Sequence, residues 1–132
     1  MSFRCVVVTP EAQVLDESVS QAILPAHDGL VGVLTGRAPL LVKLGLGPLR
    51  VDLVGGQRQY FYVEGGVAQM KDNRLTVLTN EATPADEIDA EAARAEYAEA
   101  AARRANDEHA AEDRERQMAR ARAKQQLRTA AR

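Results

Sequence analysis

From Asp89 to Gln126 the chain contains no leucine, isoleucine, valine or phenylalanine, and only Tyr97 and Met118 offer large apolar surface there. Such a stretch cannot build a hydrophobic core, because burial of large apolar side chains is the dominant favourable term in folding. The core must come from residues 1 to about 84, where Val, Ile, Leu, Phe and Tyr are concentrated. Two domains are therefore expected: a packed N-terminal unit over 1–84 and a C-terminal unit of alanine and charge over 85–132.

The total length of 132 residues suits one ordinary domain, or one small core with an appendage. A formal charge of -2 argues against wholesale nucleic-acid binding, and Cys5, the single cysteine, cannot form an internal disulfide. No apolar run approaches the roughly 20 residues that span a bilayer. The start, Met1-Ser2-Phe3-Arg4, leads into a strand-like segment without a signal-peptide pattern. The expectation is a chain in the cytosol, or held at a membrane only by partners.

Within the first part, apolar and β-branched runs alternate with turn residues. Phe3 to Val8 reads as a strand stopped by Thr9-Pro10-Glu11. Val14-Leu15 and Val19 to Leu24 read as separate short strands, the second ended by Pro25, with His27-Asp28-Gly29-Leu30 as a turn. Leu40 to Leu44 is a further strand, broken by Gly45-Leu46-Gly47-Pro48. Leu49, Val51 and Leu53 alternate with Arg50 and Asp52, which puts three apolar side chains on one face. Gly55-Gly56 and Asp72-Asn73 are tight hairpin turns, and Gly65-Gly66 bends the chain between Gln59–Glu64 and Val67–Met70. Eight to ten short strands with no helix between them predict a β-sandwich or flattened barrel rather than a parallel α/β sheet.

One corner stands out. In Gly32-Val33-Leu34-Thr35-Gly36-Arg37-Ala38-Pro39-Leu40-Leu41, two apolar runs close around a glycine that frees the backbone and a proline that fixes it. A turn this apolar is either buried or presented to a partner.

In the second part, Asp89 is a plausible N-cap with Glu91 in the first turn, and Ala92, Ala95, Ala98, Ala102 and Ala105 follow at helical spacing. Asn106-Asp107 is the expected break, with a second helix from about Ala110 to Arg128, each helix being about 18 residues and 27 Å long. Alanine gives helix propensity but little burial, so this hairpin is expected to be marginally held and able to open. Charge along it is ordered. Acids crowd between Glu87 and Glu115, whereas residues 114–132 carry seven basic side chains against one acid, a net +6. Arg114, Arg116, Arg120, Arg122, Lys124, Arg128 and Arg132 read either as a solvated helix surface or as a surface for an acidic partner.

Patterns for chemistry are missing. His27 and His109 lie too far apart for a short metal motif, no nucleophile elbow occurs, and Gly45-Leu46-Gly47 runs into Pro48 rather than a dinucleotide fingerprint. Cys5 reads as a small buried hydrophobe. No catalytic, cofactor or metal residues are assigned.

Taken together, Leu24-Pro25, Gly29, Gly32-Val33-Leu34, Gly36-Arg37-Ala38-Pro39-Leu40-Leu41, Leu44, Gly47, Val63-Glu64-Gly65-Gly66, Asn73 and Thr76-Val77-Leu78 resemble the epsilon subunit of bacterial F-type ATP synthases. Ile88-Asp89 and the alanine-rich hairpin continue the likeness, which covers essentially the whole chain. The resemblance implies a flattened ten-stranded β-sandwich followed by a C-terminal two-helix hairpin. It implies a noncatalytic central-stalk subunit, bound to the gamma subunit and the ring of c subunits and coupling proton flow to ATP synthesis. The complex would hold it at the cytoplasmic face of the bacterial inner membrane, with no nucleic acid as partner.

By the same resemblance, Asp28, Gly29, Leu30 and Val31, with Gly36, Arg37, Ala38, Pro39, Leu40 and Leu41, would lie near the c ring. The tail would contact gamma and, when extended, would bring Arg114, Arg116, Arg120, Arg122 and Lys124 to an acidic segment of the beta subunits and inhibit ATP hydrolysis. The sequence departs from the family at Thr35 and Arg37, where proline and histidine are common. It also carries Ala92 and Ala93 where relatives that bind ATP have an arginine and an alanine after Ile-Asp-x-x, so little or no ATP binding is expected. Two other readings are a β-sandwich interaction module with a basic, nucleic-acid-binding tail, and a small β-sandwich enzyme.

Overall fold

The computed structural model describes residues 1–130. In chain order the strands are β1 (Phe3–Val8), β2 (Gln13–Ala26), β3 (Gly29–Leu34), β4 (Leu40–Lys43), β5 (Leu46–Leu53), β6 (Arg58–Glu64), β7 (Val67–Lys71), β8 (Arg74–Leu78) and β9 (Ala82–Pro84). A 3-10 turn at Ala85–Glu87 precedes helices α1 (Ala90–Ala102) and α2 (Glu108–Ala130). The chain divides into two compact units, Met1–Pro84 and the residues from Ala85 onward.

In the first unit the strands are ordered β4-β7-β8-β1-β2-β5-β6-β9, with β3 beside β2. Strand β2 serves both layers of the sandwich. Its first half, Gln13 to Val19, pairs with β1, and Val19 to Ile23 pairs with β5. The end from Gln21 to Ala26 pairs with β3. A register shift between Val19 and Gln21 marks the irregularity at which the strand passes from one layer to the other. Inward side chains of β1, β7 and β8 (Cys5, Val7, Ala68, Met70, Leu75, Val77) meet those of β5 and β6 (Leu49, Val51, Phe61, Val63) in one core cluster. Burial raises the Cys5 thiol pKa to about 12, leaving it a small inert hydrophobe.

The sandwich has nine strands among the described residues rather than ten. Val14-Leu15 and Val19–Leu24 belong to one continuous strand, because Asp16, Glu17 and Ser18 are a polar outer edge rather than a turn: Leu15 and Val19 face the core while Asp16 accepts a hydrogen bond from Arg4. Pro25 does not end this strand; its carbonyl accepts from the Gly45 amide at 2.8 Å. Nor does Gly45-Leu46-Gly47-Pro48 break the chain throughout, since β5 begins at Leu46. The register between β2 and β5 starts at Arg50, so near Pro48 one edge of β5 lacks a ladder partner and a residue without an N–H is tolerated. Strand β1 pairs with β8 in parallel, and β9 is a short edge on β6.

Between β6 and β7 the chain turns through Gly65 (φ 69°) and Gly66 (φ 104°). A Cβ on Gly66 would lie 1.9 Å from the Leu78 carbonyl oxygen and 2.8 Å from the Thr79 Cα, both backbone atoms. At Gly65 the nearest atom would be the side-chain nitrogen Nδ2 of Asn80, 3.4 Å away. Gly66→Ala should therefore destabilise the fold by about 3 kcal/mol or more, against roughly 1 kcal/mol for Gly65→Ala, whose cost is the left-handed backbone alone. Denaturant unfolding of the two variants measures the difference; equal costs would show that the close approach at Gly66 is relieved elsewhere.

In the second unit, Asp89 Oδ1 accepts from the Ala92 amide at 3.1 Å and Asp107 Oδ1 from the Ala110 amide at 2.8 Å, so each helix starts on an aspartate cap. The helices are unequal, 13 and 23 residues, where two of about 18 were expected. The difference arises because α1 stops at Arg103, whose backbone is extended (φ -72°, ψ 138°), while the Asp107 cap starts α2 at Glu108. Buried positions on the two helices are Ala93, Ala100, Ala121 and Leu127.

Candidate functional site

The β2–β3 hairpin turns at His27-Asp28, with Ala26 opposite Gly29, and the His27 amide donates to the Lys43 carbonyl at 3.0 Å. The tip of this hairpin thus lies beside the end of β4. Along β3, Val31 and Val33 point inward, while Leu30 (70% exposed) and Leu34 (58%) share the outer face with Gly32 between them. In β4, Leu40 packs on the core and Leu41 is 72% exposed.

At the other end of β3 the Arg37 amide donates to the Leu34 carbonyl at 3.1 Å and Gly36 has φ 79°, as in a type II turn with glycine at its third position. The corner is pinned from the side. Asn73, itself at φ 58° in the Asp72-Asn73 turn, accepts from the Gly36 amide at 3.1 Å and donates from its side-chain nitrogen to the Ser2 carbonyl at 2.9 Å. One side chain thus joins the corner, the β7–β8 turn and the start of β1.

The expected ring-facing residues therefore do not converge on one point. Asp28 and Gly29 lie at one end of β3 and Gly36, Arg37, Ala38 and Pro39 beyond the other, about 17 Å or more apart at roughly 3.3 Å per residue. They are linked by the outward leucines of β3 and by Leu41 of β4. Val31 and Leu40 turn inward and support this surface rather than form it.

A second surface was not visible in the sequence. At the end of β1, β7 and β8, an open groove of ≈ 390 Å³ is lined mainly by Val8, Pro10, Val67 and Leu78, with Thr9 and Gly66 beside them. Val67 and Leu78 are exposed partners across the β7–β8 ladder. Their runs, Val67-Ala68 and Val77-Leu78, place apolar residues on both faces, so alternation alone cannot say which side is solvent. Across β5 and β6, Asp52 bonds Arg50 and Arg58, each at 3.0 Å. The hydrogen bond from Arg50 holds its carboxyl below the usual range, so the cluster contributes to stability above about pH 4 and is lost as the pH falls through the lowered value.

On the hairpin, the basic residues proposed for an acidic partner are already engaged. Arg114 donates to the Ala100 and Ala101 carbonyls at 3.1 and 3.0 Å, Arg120 lies 3.6 Å from Glu96, and Arg122 donates to the Tyr97 hydroxyl at 2.8 Å while stacking over its ring. Arg116 pairs with Asp113 of its own helix. Arg94 pairs with Glu91 at 3.2 Å. Arg132 lies outside the described residues. Among the described residues no helix is long and apolar enough to cross a membrane, and no three His, Cys, Asp or Glu side chains are grouped to hold a metal.

Replacing Asn73 by Gly keeps the turn backbone but removes its bonds to Ser2 and Gly36. Amide exchange at Gly36 should speed up about tenfold while the core strands stay protected; an unchanged Gly36 rate would show that the corner holds itself.

The family model for the ATP synthase, Delta/Epsilon chain, beta-sandwich domain matches residues 2–85. An ATP synthase epsilon chain of Rhodopirellula baltica is 48% identical over 100 residues, covering 76% of this chain and 77% of that one. The epsilon chain of Prochloron didemni is 43% identical over 100 residues, covering 76% and 73%. A chain in the cryo-EM structure of the Euglena gracilis mitochondrial ATP synthase, OSCP/F1/c-ring in rotational state 1, superposes with a TM-score of 0.86 at 25% identity, covering 99% of this chain and 82% of that one. A chain of the Tetrahymena thermophila mitochondrial ATP synthase central stalk and c ring shares the fold, with a TM-score of 0.73 at 14% identity over 95% of each. The sandwich, its glycine-rich crossings and the two-helix tail thus belong to a member of the ATP synthase epsilon-chain family.

Proposed function

We propose that this chain is a noncatalytic rotor subunit of an F-type ATP synthase, attached to gamma and to the c-subunit ring and coupling proton translocation to ATP synthesis. It works at the cytoplasmic face of the inner membrane, held there by the complex. The observation that carries the reading is a rigid sandwich whose outward apolar side chains, Leu30, Leu34 and Leu41, lie along two edge strands. Exposed apolar patches of this kind mark protein interfaces.

In this reading the surface from Asp28 to Val31 and from Gly36 to Leu41 meets the ring, and the groove at Val8, Pro10, Val67 and Leu78 takes gamma. The sandwich over 1–84 and the hairpin over 85–132 act as separate domains, the first for attachment and the second for regulation. Arg114, Arg116, Arg120, Arg122 and Lys124 meet an acidic segment of the beta subunits. Arg94, held by Glu91, supplies no substitute for the missing ATP-binding arginine. A stand-alone module with a nucleic-acid-binding tail finds no support in the relatives, all of the cited ones being ATP synthase chains.

A tagged chain should recover gamma, c and beta subunits from native membranes of its source, and recovery of none of them would contradict the reading. Removing residues from 87 onward should leave gamma binding intact and raise ATP hydrolysis by the assembled enzyme severalfold; unchanged hydrolysis would deny the tail an inhibitory role.

A further inference from the structure

We propose that the outer face of β3, β2, β5 and β6 is a docking surface on which Arg58, held by Asp52, takes a carboxylate from a protein segment of a rotor neighbour. The same segment sets an apolar side chain against Leu34 and Ile23. The inference rests on the proposed rotor role and names an ionic anchor at the far side of the face that Leu30 and Leu34 begin.

The strand ladder fixes which side chains share this face. Leu34, Gln21, Asp52 and Arg58 stand opposite one another in one cross-strand row, and Gly32, Ile23, Arg50 and Tyr60 form the next. The intervening Ala22, Val33, Val51 and Phe61 face the core, so both rows point outward. At about 4.8 Å between strands, each row is about 14 Å wide. Leu34 is exposed, and Ile23 and Tyr60 are half-buried. No atom lies within 4 Å of where a Cβ on Gly32 would stand, which leaves an open notch beside Ile23. That notch suits an apolar side chain.

Charge on the two rows does not balance. Arg50 and Arg58 share Asp52, the one acid among these side chains, so two cations against one anion leave a net +1. Arg50 spends its fork on that carboxylate, Nε to Oδ1 at 3.2 Å and Nη2 to Oδ2 at 3.0 Å. Arg58 gives only its Nε, at 3.0 Å. Among the described residues its two terminal nitrogens make no hydrogen bond, and its side chain is 50% exposed. A guanidinium anchored through Nε keeps its terminal N–H groups in a fixed plane. Less rotamer entropy is then lost when those groups take a carboxylate.

A single net charge among apolar groups fits a protein carboxylate. A nucleic-acid backbone needs a track of cations along its phosphates, and an anionic bilayer needs a cluster of several. Arginine and tyrosine are instead the residues enriched at protein interfaces, where apolar contacts exclude water from a polar anchor.

The test adds the full chain back to membranes of its source that have been stripped of their own epsilon chain, and measures bound against free chain at several salt concentrations. Wild type should bind. Arg58→Ala should weaken binding about tenfold and make it less sensitive to salt, because one ion pair is gone. Arg58→Lys keeps a cation beside Asp52 and loses the fork, so affinity should fall only about threefold with the salt dependence retained. Arg104→Gln, an equal loss of charge in the exposed link between α1 and α2, should change it by less than about twofold.

An R58A variant that binds as tightly as R104Q, or that weakens with the salt dependence of wild type, would overturn the anchor while leaving the rotor role standing. So would R58K binding as tightly as wild type, a result that can be read even where the alanine variant does not fold. No binding of the wild-type chain to stripped membranes would overturn both the anchor and the rotor role.

Discussion

The sandwich depends on one strand passing between its two layers. Among the described residues β2 alone is hydrogen-bonded to three other strands, β1, β3 and β5, and it does so by shifting register between Val19 and Gln21. That passage brings the core faces of β1, β7 and β8 over those of β5 and β6. It also leaves β3 and β4 as edges. An edge strand normally invites unwanted pairing, and here the edges are short, with Pro39 leading into β4 and Lys43 at its end. The outward leucines on these edges are therefore available for a side-chain interface without a long bare ladder beside them.

The two units are held by different forces. Seventeen buried residues form the sandwich core, and each large one contributes about 1.5–3 kcal/mol relative to exposure. The helices share an alanine seam and a set of guanidinium contacts, which water and salt can replace. The sandwich thus rests on a dense apolar core, and the hairpin on contacts that are individually weak.

Much of this was legible in the sequence. The lack of leucine, isoleucine, valine and phenylalanine from Asp89 to Gln126 located the core, and Leu49, Val51 and Leu53 named a strand face that is indeed inward, opposite the Arg50–Asp52 pair. Asp89 and the Asn106-Asp107 break announced the helix starts. What stayed hidden depended on contacts distant in sequence. Nothing local in Asp16-Glu17-Ser18 distinguishes a turn from the solvent edge of a strand. The parallel pairing of β1 with β8 and the bridge from Asn73 to Gly36 and Ser2 need the fold to exist first. The basic run was legible as charge, but Glu96 and Tyr97 as its partners were not, since they lie 24 and 25 residues away from Arg120 and Arg122.

The central claim, a firmly packed sandwich bearing a weakly held, polar-latched hairpin, is tested most directly by native-state hydrogen exchange on the intact chain at two salt concentrations. The account predicts that core amides of β1, β2, β5 and β6 exchange only by global unfolding and respond little to salt. Amides of α1 and α2 should exchange by a smaller opening, with protection falling as ionic strength rises. Helix amides as protected as the core strands, with no salt dependence, would contradict it.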